Sequence, residues 1–265
     1  MTQKEYAWFD INGTLVPHGE KHISRQMADA FGLVPYRGIN TRVSVRTIQR
    51  YLPTQVTNLP SIVLLGAEIW SAEGKNLHAF SLSYRAKSRL CALLESSAKH
   101  IARARYYIAG CGISANFFAD REYLTKVQEK MASRGEWAAA TLSLPDFLDG
   151  LMKEEVSALS LEIASADFSF PSDVPFEVTF DGVREDTREF VITSEGVNKG
   201  SSLAFLCREL GVDLSCVITA GDDQPDIPAF QQAYGIAVGE MFPYAQTLVA
   251  SPDVLAEWLV RNYQR

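Results

Sequence analysis

At 265 residues the chain is long enough for one large or two modest domains with a sizeable buried core. Its 47% apolar content is ordinary for a globular protein, while a formal charge of −7 and a pI near 5.2 argue against a polyanionic partner such as nucleic acid, so any phosphate-handling site must make its positive field locally. The sequence shows no run of about 18 apolar residues that would predict a membrane span and no apolar leader, and its four cysteines without CxxC spacing predict reduced thiols rather than zinc or disulfides, the pattern of a cytoplasmic protein.

In chain order, the apolar run from Tyr6 to Phe9 predicts a buried strand that stops at Asp10, with a Gly13-Thr14 turn close behind. A strand delivering a carboxylate to its end, with a glycine opening the next loop, places that carboxylate at the active-site edge of a parallel sheet. The polar loop Pro17 to Lys21 brings His18 and His22, expected as solvent-exposed residues, with a contact at a pocket mouth as the alternative. A helix is expected over Ser24 to Phe31, capped by Ser24 and stopped by Gly32. A second strand ends within Pro35 to Thr41 and leads through Asn40-Thr41-Arg42 into a helix from Ser44 to Leu52, and Pro60 to Trp70 predicts a strand-turn-strand.

From about Ala72 to Arg188 the pattern changes to that of an insertion. Helical periodicity appears over Ser83–Ala98, Ala119–Arg134, Pro145–Leu151 and Glu154–Ala164; strand-like pieces are Ala104–Ile108, Trp137–Thr141 and Phe176–Phe180. Gly110-Cys111-Gly112-Ile113-Ser114-Ala115 contains a GxGxxA, yet the acidic residue that dinucleotide binding needs about 20 positions on, at a second strand end, is missing, and a glycine turn is the better reading. Cys111 has no visible base partner and is expected to be buried or inert. A short strand at Glu189–Thr193 is expected to resume the first domain. Lys199 then opens the helix Ser201–Leu210, Cys216–Ala220 forms a strand running into Gly221-Asp222-Asp223-Gln224-Pro225-Asp226, and Pro228–Tyr234, Ile236–Gly239 and Pro252–Tyr263 read as helix, strand and helix. The expected fold is α/β: a doubly wound parallel sheet built from residues 1–71 and 189–265, with an α+β domain, 72–188, inserted.

Asp10, Asn40-Thr41-Arg42, Lys199 and Asp222, in this order and spacing, resemble the motif set of the haloacid dehalogenase (HAD) superfamily, in its sugar-phosphatase branch. The resemblance covers the whole chain. It implies that the inserted domain is a cap that selects substrate, and that a small phosphorylated metabolite is the ligand. It implies Asp10 as the nucleophile, forming an acyl-phosphate that water later opens. It implies Mg²⁺ held by Asp10, Asp222 and the backbone carbonyl of Asn12, since this ion takes a few carboxylate or carbonyl oxygens plus water and phosphate. Lys199 is implied to neutralise phosphate charge, and Asp226 to order the loop or hold a metal-bound water. A lysine in the first turn of a helix opposes the helix dipole, and that unfavourable placement itself favours a functional role. The phosphate would also meet either the Asn40 amide or the Thr41 hydroxyl.

The chain departs from the family at three places. Relatives usually have Thr-Gly-Arg or Ser-Gly-Arg where this chain has Asn40-Thr41-Arg42, and Asn-Gly-Ala where it has Leu65-Gly66-Ala67. The departure with consequences is Asn12, at the position of the family's second aspartate, which protonates the leaving oxygen and then activates water. An amide hydrogen-bonds but carries no proton at neutral pH. Three explanations stand: an engineered replacement in an active phosphatase, a natural enzyme that is slow or uses another proton carrier, or a pseudoenzyme that binds a phosphorylated ligand without turnover. A phosphoryl-transferring mutase is a further alternative to hydrolysis.

Overall fold

A computed structural model describes residues 4–52, 56–119, 121–132, 140–184 and 186–264. In chain order the elements are β1 (Tyr6–Phe9), α1 (Arg25–Gly32), β2 (Tyr36–Ile39), α2 (Val45–Tyr51), β3 (Ser61–Val63), β4 (Glu68–Trp70) and β5 (Asn76–Ala79). There follow α3 (Tyr84–Ser97), β6 (Ile101–Ile108), β7 (Ile113–Phe118), α4 (Arg121–Ala132), β8 (Ala140–Thr141), α5 (Leu144–Lys153), β9 (Val156–Ile163), β10 (Phe176–Arg184) and β11 (Thr187–Ser194). The chain closes with α6 (Lys199–Leu210), β12 (Val217–Gly221), α7 (Ile227–Gln232), β13 (Tyr234–Val238), β14 (Ala245–Val249) and α8 (Pro252–Tyr263). Two compact units result, Met1–His78 with Val197–Arg265, and Ala79–Gly196.

The first unit holds a five-stranded, all-parallel sheet in the order β14-β13-β12-β1-β2. Its central strands read as continuous apolar runs because both faces are covered. Phe9, Ile218, Ile236 and Val238 meet α1 and α8 on one side; Ala237, which alternates with them, meets Phe230 of α7 on the other. Helices on both faces make the sheet doubly wound, as expected. Ser24 caps α1 as expected, accepting from the Met27 amide, but Gly32 does not stop that helix, which includes it and is capped by Leu33. Ser251 accepts from the Val254 amide at the start of α8, and Gly211 ends α6 in the left-handed conformation. β3, β4 and β5 form a small separate sheet.

The second unit is built on a six-stranded sheet, order β10-β11-β9-β6-β7-β8, whose apolar face carries Ala104, Tyr106, Leu159 and Leu161 into a core with Leu90 of α3 and Phe147 of α5. Several expectations are corrected here. Glu154–Ala164 is not a helix: Leu159, Leu161 and Ile163 repeat every second residue, and the segment pairs with β6 and β11 as strand β9. Glu189–Thr193 does not return to the parallel sheet; it lies within β11, antiparallel to β10 and β9. The GxGxxA stretch is the turn of an antiparallel hairpin, with Gly110 and Gly112 at positive φ between β6 and β7. No helix follows it to receive a pyrophosphate, so the dinucleotide reading fails. Cys111 is exposed on that turn rather than buried. Of the expected strand Trp137–Thr141, only β8 lies among the described residues.

Candidate active site

β1 and β12 are neighbours in parallel register, Phe9 opposite Ala220, so the residues just past their carboxyl ends share one edge of the sheet. Asp10 and Asp222 occupy those positions. The first is fixed through its backbone, whose N–H donates to Ala220 O at 2.9 Å. Only glycine serves at two adjacent points. Gly13 has φ +82°, and a Cβ there would lie 2.0 Å from Asp222 Oδ2; a Cβ on Gly221 would lie 2.1 Å from the carboxyl carbon of Asp226.

A buried lysine ties the cluster together. Lys199, 3% exposed, donates through Nζ to Asp10 Oδ1 at 2.9 Å and to Asp226 Oδ1 at 2.6 Å. Burial alone would lower its pKa, but the two carboxylates outweigh that and hold it above the usual lysine range. The Asn198 cap sets the lysine's place, its side chain accepting from the Gly200 and Ser201 amides. Asp222 is held at both oxygens: Thr14 Oγ1 donates to Oδ1 at 2.9 Å, and His18 Nε2 sits 2.9 Å from Oδ2 with its ring three-quarters exposed. Asp226 closes the loop on itself, its Oδ2 accepting from the Asp223 amide at 3.3 Å.

Carboxylate oxygens of Asp10, Asp222 and Asp226 come within 4.8 Å of one another, against the single ammonium of Lys199. Burial and the charge of Asp10 push the Asp222 carboxyl up to about 6, in spite of Thr14, His18 and Lys199. Burial likewise pushes Asp226 upward, against the pull of Lys199. An all-oxygen set with surplus negative charge is the chemistry a hard divalent cation takes. Because the folded pKa of Asp222 lies above its unfolded value, the contribution of this group to stability falls as pH rises from about 4 through 6. A cation at the cluster needs the carboxylates ionised and expels that proton. Calorimetry of Mg²⁺ binding in buffers of different ionisation enthalpy should therefore show proton release near pH 6 that vanishes by about pH 8. Release that does not vary with pH would mean that ions bind elsewhere.

The other expected site residues lie around this cluster. Asn40 is buried just past β2; its Nδ2 donates to the Lys199 carbonyl at 3.1 Å and its Oδ1 has no partner. Thr41, also buried, accepts at Oγ1 from the Val43 amide at 3.5 Å, so Asn40 is the one joined to the lysine. Asn12 is half-buried, and its side-chain amide makes no hydrogen bond among the described residues. The contacts of Thr14 and His18 with Asp222 were not legible in the sequence, since more than 200 residues separate the partners. His18 is exposed, as expected, and also contacts Asp222.

An acidic cluster pinned by a buried lysine at the carboxyl edge of a doubly wound sheet marks the class of open α/β proteins that place their ligand site at the strand ends. Within it, this chain belongs to the haloacid dehalogenase-like hydrolases, whose family model matches residues 7–249. A search of curated proteins finds no match. Solved structures resemble the chain over nearly its whole length. One, from a phosphoryl-transfer superfamily, is 16% identical over 98% of both chains with a TM-score of 0.76. Another, the HAD subclass IIB sugar phosphatase BT4131, is 16% identical over 97% of this chain and 98% of its own, with a TM-score of 0.73. The HAD phosphatase BT1666 from Bacteroides thetaiotaomicron is 14% identical over 98% of this chain and 95% of its own, with a TM-score of 0.72. At these identities the likeness speaks for the fold.

Proposed function

We propose that this protein is a Mg²⁺-dependent phosphomonoesterase for a small phosphorylated metabolite, a sugar or polyol phosphate, with turnover held down by Asn12. The observation that carries the reading is Lys199 pinned between Asp10 and Asp226, with Asp222 in the same acidic cluster. The sugar phosphatase among its structural neighbours supports the substrate class.

Asp10 is the nucleophile in this reading. Lys199 occupies its Oδ1, which leaves Oδ2 to attack phosphorus as the ester P–O bond breaks. Lys199 offsets the charge of the phosphate, and Asn40 holds the lysine's backbone while keeping a second N–H for a phosphate oxygen. Asp10, Asp222 and the Asn12 carbonyl would hold Mg²⁺, with Asp226 closing the cluster, and the ion supplies charge neutralisation when bound. Asn12 can donate a hydrogen bond to the leaving oxygen but no proton, so the leaving group and the later water attack go without general acid–base help.

A second reading is a binder of phosphorylated ligands without turnover, favoured by the amide at position 12. An activated aryl phosphate separates the two, because its leaving group needs little protonation. The expected result with p-nitrophenyl phosphate and Mg²⁺ is a burst of nitrophenolate equal to the enzyme, then slow release, with the phosphoryl group found on Asp10 by mass spectrometry. Phosphate binding with no burst and no phospho-Asp10 would select the second reading.

A further inference from the structure

The imidazole of His18 touches the acidic cluster without a part in the proposed reaction. Its loop, Pro17 to Lys21, follows the Gly13-Thr14 turn, so the residue belongs to the same compact unit as Asp10, Asp222 and Asp226. Nε2 lies 2.9 Å from Asp222 Oδ2, with the ring mostly in solvent. A pair whose histidine is this exposed adds little to stability, so the contact calls for another account.

The surroundings supply it. Thr14 Oγ1 donates to Asp222 Oδ1 at 2.9 Å, which fixes the carboxyl and leaves Oδ2 for an ion. Among the described residues His18 is the group that meets Oδ2, and it reaches the cluster through Asp222 alone. An ion taken at Oδ2 must therefore displace the imidazole or be bound by it. The spacing permits binding. With metal–ligand bonds of about 2.0–2.2 Å, two ligands at right angles lie about 3 Å apart, close to the separation of Nε2 and Oδ2. Gly13 leaves both atoms uncovered, since a Cβ there would come 2.6 Å from Nε2 and 2.0 Å from Oδ2. The ring is also uncommitted: His18 makes no other hydrogen bond among the described residues, whereas His22 Nδ1 is 2.8 Å from the Arg50 carbonyl. What decides between displacement and binding is then the ion. Mg²⁺ is hard and keeps to oxygen, so it lets the imidazole go; ions such as Zn²⁺, Co²⁺ and Ni²⁺ hold imidazole nitrogen.

We infer that His18 adds a nitrogen ligand to the ion site of the three aspartates, which gives the site a gain in affinity for a borderline divalent ion, of the class of Co²⁺ or Zn²⁺, that Mg²⁺ does not share. The inference rests on the reading of that cluster as a metal site. The carboxylates accept either kind of ion; the imidazole tells the two apart.

The test is calorimetric binding of Co²⁺ and of Mg²⁺ to the full chain at pH 8, with His18→Ala, His18→Gln and Asp222→Asn beside it. Both His18 variants should lose roughly tenfold or more in Co²⁺ affinity and keep their Mg²⁺ affinity. Glutamine can still donate to Asp222 Oδ2, so its failure to rescue separates a ligand from a residue that only orients the carboxyl. X-ray absorption at the cobalt edge should show imidazole scattering in the native chain and lose it in His18→Ala. Absent imidazole scattering, equal losses for the two ions, or Co²⁺ affinity kept by His18→Gln overturns the inference and leaves the cluster an all-oxygen site. Failure of both ions to bind, or binding undiminished by Asp222→Asn, overturns the metal reading of the cluster as well.

Discussion

Replacing Asn12 by aspartate should raise kcat for phosphate-ester hydrolysis by roughly 10²–10⁴-fold, about 3–5 kcal/mol of barrier. The two side chains have nearly the same shape. The Asn12 amide has no hydrogen-bond partner among the described residues to lose in the exchange. The carbonyl proposed to face the metal belongs to the backbone and is the same in both. On an alkyl ester, whose first step limits turnover, the gain should therefore appear in kcat with KM nearly constant, the signature of a contact made in the transition state; on the aryl ester, where water attack is the slow step, KM should rise with kcat. It should also depend on the leaving group. An alkyl alkoxide needs a proton as it departs and a nitrophenolate does not, so the variant should gain more on glycerol 3-phosphate than on p-nitrophenyl phosphate. With the aryl ester the burst should disappear, because water attack becomes as fast as the first step. Phosphate release followed on both esters checks this. An absent gain, or the same gain on both, would sink the idea that position 12 limits turnover through proton transfer.

The parts of this protein that announced themselves in the sequence are those whose signal is local. A buried parallel strand needs an unbroken apolar run, and Tyr6–Phe9 and Val217–Gly221 supply it. Each ends at a carboxylate, and that coincidence was enough to place Asp10 and Asp222 at one edge of a sheet. Ser24 marked a helix start because capping is also local. What stayed hidden depends on partners distant in the chain. Val156–Ile163 follows two glutamates and contains good helix formers, yet its neighbours β6 and β11 made it a strand. Strand β7 was absorbed into the glycine pattern that precedes it, and β14, half polar at the edge of its sheet, carried too weak an alternation to be seen. The same limit applies to the site. Asp226 could be matched to a motif, but its contact with Lys199 spans 27 residues, and the holds of Thr14 and His18 on Asp222 span more than 200.

Lys199→Met should destabilise the metal-free protein by about 3–5 kcal/mol near neutral pH, the range for breaking a buried ion pair from one side. Methionine fills most of the space, so the loss is one of charge. Asp10 and Asp226, both buried, would be left with no cation in contact, beside Asp222 in the same cluster. In the native chain Lys199 stays charged over the whole range from pH 5 to 9, because its carboxylate partners hold its pKa above the usual lysine value. The deficit in the variant is therefore set by the acids. Burial already pushes Asp222 up to about 6 and raises Asp226 with the lysine present; without it both rise further and take up protons as pH falls. Each proton removes the unpaired charge that destabilises the fold, so the deficit should shrink between pH 7.5 and pH 5. Mg²⁺ should shrink it too, at pH 7.5 more than at pH 5, since a divalent cation substitutes for the missing ammonium only where the carboxylates are ionised. Urea unfolding of both chains at the two pH values, with and without Mg²⁺, gives the four differences needed. A deficit unchanged by pH and by Mg²⁺ would mean that Lys199 stabilises the fold through packing, and that the three aspartates do not behave as one charged cluster.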